Sequence, residues 1–113
     1  MGEGPTISGY LGRVKPVEVV QADGYTAHVA VSGELNLVTG DVVLRKLSSL
    51  VDRGYVHLVV DASEVSFCDS SGLGALLRAR ARASAVAGGL TISKASPQLQ
   101  RVLEIAGIQK LLS

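Results

Sequence analysis

The feature that most constrains this chain is an alternation of short apolar, β-branched runs with longer stretches that repeat at helical spacing. Val56 to Val60 is such a run, Ser71 to Ala87 follows it as a helix closed by Gly88-Gly89, and Leu90 to Ser93 is the next strand. Two strands joined through a helix lie parallel, and the crossover is right-handed. The run Val56 to Val60, apolar and β-branched apart from His57, predicts a strand buried on both faces, with helices on either side of the sheet.

Upstream, Val43, Leu47, Leu50 and Val51 share one stripe within Val38 to Arg53, while Asp41, Arg45, Lys46 and Asp52 fall largely elsewhere. This spacing predicts an amphipathic helix stopped at Gly54. Earlier still, Val17, Val19 and Val20, the turn Ala22-Asp23-Gly24, and Tyr25 to Val31 predict an antiparallel hairpin that Gly33 ends. Ser96-Pro97 supplies an N-cap and a first-turn proline for a third helix, with Leu99, Val102, Leu103 and Ala106 on one stripe and Gly107 closing it. The order ββαβαβα defines an α/β fold: a mixed sheet of four to five strands with an antiparallel edge hairpin. Residues 1 to 16 have no periodic pattern and carry Gly2, Gly4, Pro5, Gly9, Gly12 and Pro16, so they read as a flexible leader ahead of a domain over 17–113. With 113 residues, 47% of them hydrophobic, the chain supports one core.

Composition then removes several functions. A formal net charge of +1 gives no broad basic field for a phosphate backbone. Aromatic residues at 4%, with no Trp, leave no stacking platform for single-stranded nucleic acid. No apolar run approaches the roughly 20 residues that span a bilayer, and the first residues lack the pattern of a signal peptide, so a cytoplasmic protein is expected. Cys68 stands alone and forms no intrachain disulfide; at a strand end it reads as a small core hydrophobe. His28 and His57 have no companions at ligand spacing, so no metal or other cofactor is expected. Neither a Ser-His-Asp arrangement nor a phosphate-binding loop is indicated, which argues against an enzyme. Arg78, Arg80 and Arg82 alternate with alanines and read as a solvated helix surface, Arg80 lying along the edge of the core.

The segment Val65-Ser66-Phe67-Cys68-Asp69-Ser70-Ser71-Gly72-Leu73-Gly74 joins the third strand to the second helix. Asp69, Ser70 and Ser71 are all residues that cap helices, and capping alone accounts for them. The same placement puts unpaired backbone amides at a helix N-terminus, where an anion is favoured by about 0.3–1 kcal/mol. A phosphate on this turn is therefore the functional alternative.

The motif DSSGLG, after an apolar strand end and before a Leu-rich helix, resembles the signature of the STAS anti-sigma factor antagonists. Gly33-Glu34-Leu35-Asn36 resembles that family's GELD loop, and Ser96-Pro97 and Ala106-Gly107-Ile108 also match its pattern. The likeness runs from about Val17 to Leu112. It implies a phosphorylation-controlled binding protein with Ser70 as phosphoacceptor, Asp69 as the flanking acid and Ser71 as the helix cap. It further implies an anti-sigma factor with serine kinase activity as partner, a PP2C-type phosphatase that reverses the modification, and release of a sigma factor by the unphosphorylated form. The residues expected to meet the partner are Asp69, Ser71, Gly72, Leu73, Leu77, Glu34 and Asn36. Leu73 and Leu77 enter because they fall roughly 100° from the stripe of Leu76, Ala79, Ala83 and Val86, which leaves them partly exposed beside Ser70. Asn36 departs from the family, replacing a carboxylate by a neutral amide. The alternative reading is a STAS subunit of a stressosome or a lipid-transport assembly.

Overall fold

The computed structural model describes residues 16–112. The expected leader lies outside the described residues, apart from Pro16, whose carbonyl accepts a 3.1 Å hydrogen bond from the Ser32 N–H. Four strands, β1 (Val17–Asp23), β2 (Thr26–Leu35), β3 (His57–Cys68) and β4 (Gly89–Ala95), form one sheet in the order β1-β2-β3-β4. β1 and β2 are antiparallel, and β2, β3 and β4 are parallel. Three helices, α1 (Leu37–Asp52), α2 (Ser70–Ser84) and α3 (Pro97–Ala106), complete the expected ββαβαβα order, and a short 3₁₀ turn (Gln109–Leu111) follows.

The sheet buries one face only. Ala27, Val29 and Val31 of β2, Leu58, Val60 and Ala62 of β3, and Leu90 and Ile92 of β4 join a single core with the helices. The alternate residues His28, His57, Thr91 and Ser93 are exposed, and Val59 and Asp61 only half-buried. This corrects the expectation of a third strand buried on both sides: β3 alternates because the open face has no helical layer. β3 is also much longer than Val56 to Val60. Its polar second half, Asp61 to Ser66, stays in the ladder because β2 extends alongside it, and breaks of register between Ala30 and Ser32 absorb the mismatch.

Glycines set the irregular points. Gly33 does not end the hairpin; at φ +79 it sits inside β2 at a register shift, and pairing continues to Leu35 opposite Cys68. In the hairpin, β1 runs on to Asp23 and the turn falls on Gly24 and Tyr25.

The helices follow their predicted stripes with small shifts. Val43, Leu47, Leu50 and Val51 of α1 are buried, as are Leu99 and Leu103 of α3, whereas Ala106 is exposed. α2 ends at Ser84 rather than Ala87, so Val86 lies outside it at 53% exposure and does not extend the core stripe. Arg80 is half-buried, while Arg78 and Arg82 are exposed.

One contact fixes how α2 enters the fold. A Cβ on Gly72 would lie 2.4 Å from the Leu35 carbonyl oxygen and 2.7 Å from the Leu35 Cβ. On the other side, a Cβ on Gly40 of α1 would meet Ala75 Cβ at 3.3 Å and Gly72 Cα at 3.4 Å. The first turn of α2 is thus pressed against the end of β2 and against α1 at once, with backbone in place of side chains. Gly72→Ala should destabilise the domain by about 1–3 kcal/mol, since its obstacle is a backbone carbonyl that cannot swing away. The gain of roughly 1 kcal/mol in helix propensity is too small to offset this. Urea denaturation checks it, and an unchanged midpoint would show that α2 can lift off β2 freely.

Candidate functional site

β2 and β3 run parallel and finish together, and each passes into a helix through a single capping residue. Leu35 leads to Asn36 and α1; Cys68 leads to Asp69 and α2. The Asp69 N–H donates to the Leu35 carbonyl at 3.1 Å, which ties the two turns together. The C-terminal edge of the sheet, formed by the ends of its two central strands, therefore carries two helix N-termini side by side, each a source of N–H donors and partial positive charge.

The caps use different chemistry. Asn36 Oδ1 accepts from the N–H groups of Val38 (3.0 Å) and Thr39 (3.1 Å), and Thr39 Oγ1 accepts from the Asn36 N–H at 2.9 Å. Thr39 Oγ1 also donates to the Glu34 carbonyl at 2.5 Å, so a closed set of bonds holds the end of β2 to the first turn of α1. At α2, Asp69 Oδ1 accepts from the Gly72 N–H at 2.9 Å. This corrects the assignment of the cap to Ser71: Asp69 is the N-cap because its extended backbone, φ −101 and ψ −175, aims its carboxylate at the third helical N–H. Ser70 then becomes the first helical residue, and it is exposed.

The other expected site residues divide. Glu34 is exposed, and Asn36 and Ser71 are half-buried. Asn36 lines a shallow hollow of about 320 Å³ with Gly33, Glu34, Thr39 and Ser66, and Ser70 is not among its walls. Asn36 and Ser70 are thus linked through the Leu35 to Asp69 backbone pairing rather than through a shared cavity. Gly72 is buried at the contact with β2. Leu73, at 9% exposure, belongs to the core, contrary to the expectation that it stands partly exposed beside Ser70, whereas Leu77 is half-buried against the core and keeps the partial exposure expected of it. α2 packs against α1 as well as the sheet, so its buried surface is wider than the stripe through Leu76, Ala79 and Ala83.

The exposed apolar residues at this edge are others. Leu37 and Val38 are each 72% exposed in the first turn of α1, Val42 is 44% exposed one turn on, and Phe67 is 49% exposed at the end of β3, opposite Glu34. A signal for the helical three is present in the sequence: they fall about 100–140° from the Val43 stripe by the 3.6-residue period. Phe67 announces itself less, because its exposure depends on the register of a strand that the polar residues before it disguise.

The family model of the Mlab STAS domain matches residues 18–113. The chain belongs to the STAS-domain family. An anti-sigma F factor antagonist of Paenibacillus polymyxa is 29% identical over 85 residues, covering 74% of this chain and 73% of that protein. The anti-sigma factor antagonist SpoIIAA in its unphosphorylated form matches with a TM-score of 0.76 at 22% identity, over 86% of this chain and 85% of its own. The phosphorylated form of the Bacillus cell fate determinant SpoIIAA matches with a TM-score of 0.70 at 22% identity, over 86% of this chain and 88% of its own. This STAS domain thus has the SpoIIAA fold and is similar in sequence to an anti-sigma F factor antagonist. Among the described residues no helix is long and apolar enough to cross a membrane, and no group of His, Cys, Asp and Glu is placed to hold a metal ion.

Cys68 is buried directly under the site, with Sγ 3.5 Å from the Asp69 carbonyl. Burial, and secondarily the Asp69 carboxylate, pushes its thiol up to about 11 from an ordinary 9.0. The folded thiol therefore stays protonated while the unfolded chain begins to ionise near pH 9. Its contribution to stability is complete below that pH and is lost as pH rises towards about 11. Urea midpoints of the STAS domain should fall more steeply over this window than those of Cys68→Ala, and thiol reagents should modify the native protein slowly at neutral pH. Parallel curves for the two proteins would show that Cys68 titrates as it does in the unfolded chain.

Proposed function

We propose that this STAS domain is an anti-sigma factor antagonist in which Ser70 is the switch. In the unphosphorylated form it binds an anti-sigma factor that is also a serine kinase, and a sigma factor is released. The kinase transfers the γ-phosphoryl group of ATP to Ser70 Oγ: the new O–P bond forms, the bond to the β-phosphate oxygen breaks, the hydroxyl proton passes to a base of the kinase, and ADP leaves. A PP2C-type phosphatase reverses the modification by hydrolysis, and the cycle takes place in the cytoplasm.

The observation that carries this reading is the division of labour between Asp69 and Ser70. Asp69 caps α2, which leaves the Ser70 hydroxyl exposed at the first helical position with no bond to the Asp69 carboxylate to give up. A phosphate of about −1.5 to −2 charges beside Asp69 remains in water in the free domain but faces repulsion and desolvation under a docked partner. Leu37, Val38 and Phe67 supply the apolar part of the docking surface on the same sheet edge, with Glu34 and Asn36 between them.

Incubation with the cognate kinase and ATP tests the proposal directly, and no phosphate on Ser70 would refute it. Stable co-purification with a stressosome or lipid-transport assembly, in place of an anti-sigma factor, would favour the alternative role. Ser70→Ala should keep partner binding, resist inactivation and change stability by less than about 1 kcal/mol, because the cap is intact. Burying an exposed leucine is worth about 1.5–3 kcal/mol, so Leu37→Ala should weaken partner binding roughly tenfold or more while leaving the urea midpoint in place. Unchanged affinity would remove the first turn of α1 from the interface.

Asn36→Asp should retain the α1 cap, since a carboxylate accepts the same two N–H bonds and a negative charge suits a helix N-terminus. The added charge should slow rebinding of the phosphorylated form and alter the phosphorylation rate, both effects shrinking as salt is raised. Identical kinetics for the two proteins would show that position 36 does not sense Ser70.

A further inference from the structure

Arg78 is placed differently from the two ion-paired arginines of its neighbourhood. Arg45 pairs with Asp41 at 2.9 Å, and Arg82 with Asp52 at 2.6 Å. Arg78 has no ion-pair partner among the described residues, and its guanidinium turns back towards the start of α2. Its Nη1 lies 3.3 Å from the point that a Cβ on Gly74 would occupy. Gly74 is one turn before Arg78 and one turn after Ser70, so the three positions share a stripe along the exposed side of the helix. Because Gly74 has no side chain, that intervening position places no side-chain atoms between the guanidinium and position 70. Arg78 also shares a groove with Leu44 and Ser48 of α1, which gives its aliphatic stem a surface to lie on.

We propose that Arg78 is the counter-ion of phosphorylated Ser70, its guanidinium reaching over Gly74 to pair with the phosphate. The inference rests on Ser70 being the phosphoacceptor. A guanidinium presents forked N–H donors that fit phosphate oxygens, and a cation within about 4–6 Å favours the more highly charged form of an acid. The second ionisation of a phosphoserine lies near pH 6, so the pair sets how much negative charge the switch carries under cellular conditions. Asp69, one residue away, acts in the opposite sense, and the Arg78 cation offsets it.

The test uses the full chain carrying phosphoserine installed chemically at position 70, so that no kinase is needed, and follows the phosphate by ³¹P NMR as pH is varied. Arg78→Gln should raise the phosphate's second pKa by roughly 0.5–1 unit, a 3–10-fold change in proton affinity. Arg80→Gln removes the same formal charge from the same helix and should move it by less than half as much. Equal shifts in the two variants, or none in Arg78→Gln, would overturn the pairing. Matching urea midpoints for the unphosphorylated proteins confirm that the comparison is made between equally folded chains. Kinase labelling is scored separately: its absence refutes Ser70 as acceptor, whereas the titration alone decides the ion pair.

Discussion

The site depends on the contact between the backbone of Gly72 and the carbonyl of Leu35. Only hydrogen fits at the Gly72 Cα, because any Cβ would overlap an oxygen already held in place by the Asp69 N–H. That restriction brings the start of α2 to the end of β2, and Gly40 lets α1 close from the other side. Two helix N-termini are thereby held at one sheet edge without a loop between strand and cap. The position of Ser70 follows from strand pairing, one capping bond and one glycine, all of them rigid elements.

Much of this was legible in the sequence. The ββαβαβα element order, the three helices and the core stripe of α1 follow from periodicity and end signals, and DSSGLG marked the turn that the structure places at the sheet edge. What failed did so where tertiary contacts override local pattern. The length of β3 was hidden because its second half is polar and is held by pairing with β2. The open face of the sheet was hidden because a short apolar run looks the same whether one or both faces are covered. Gly33 looked like a terminator, although a positive φ serves equally well inside a bulged strand.

The capping residue and the leucines illustrate two other limits. Asp69, Ser70 and Ser71 are all competent caps, so composition cannot choose among them; the backbone entry angle into α2 makes the choice. Leu73 and Leu77 lie off the main stripe on a helical wheel, but a wheel records angle and not the number of neighbours. α2 is packed by α1 as well as by the sheet, and most of its core residues are Gly or Ala, so the helices approach closely and cover Leu73, while Leu77 stays half-buried. The same reasoning works in reverse for Leu37 and Val38, which lie off the Val43 stripe and have too few neighbours in the first turn of α1 to be covered.

The electrostatics of this edge give the proposed phosphorylation of Ser70 a way to act on docking and leave the fold alone. Each helix N-terminus contributes about +0.5 of an elementary charge, the Asp69 and Glu34 carboxylates about −1 each and the Arg78 guanidinium about +1, so the unmodified edge is close to neutral. Asn36 matters in that sum, because a carboxylate in its place would make the resting edge anionic and narrow the contrast between the two states. A phosphate on exposed Ser70 moves the edge to about −1.5 to −2 while remaining hydrated, so the free domain incurs little cost. A partner lying over Leu37, Val38 and Phe67 would have to strip water from that charge, only part of which the proposed Arg78 pairing offsets, and desolvating the remainder costs several kcal/mol. The penalty falls on the complex alone, which is the requirement for a modification that breaks an interface and keeps the protein folded for reuse.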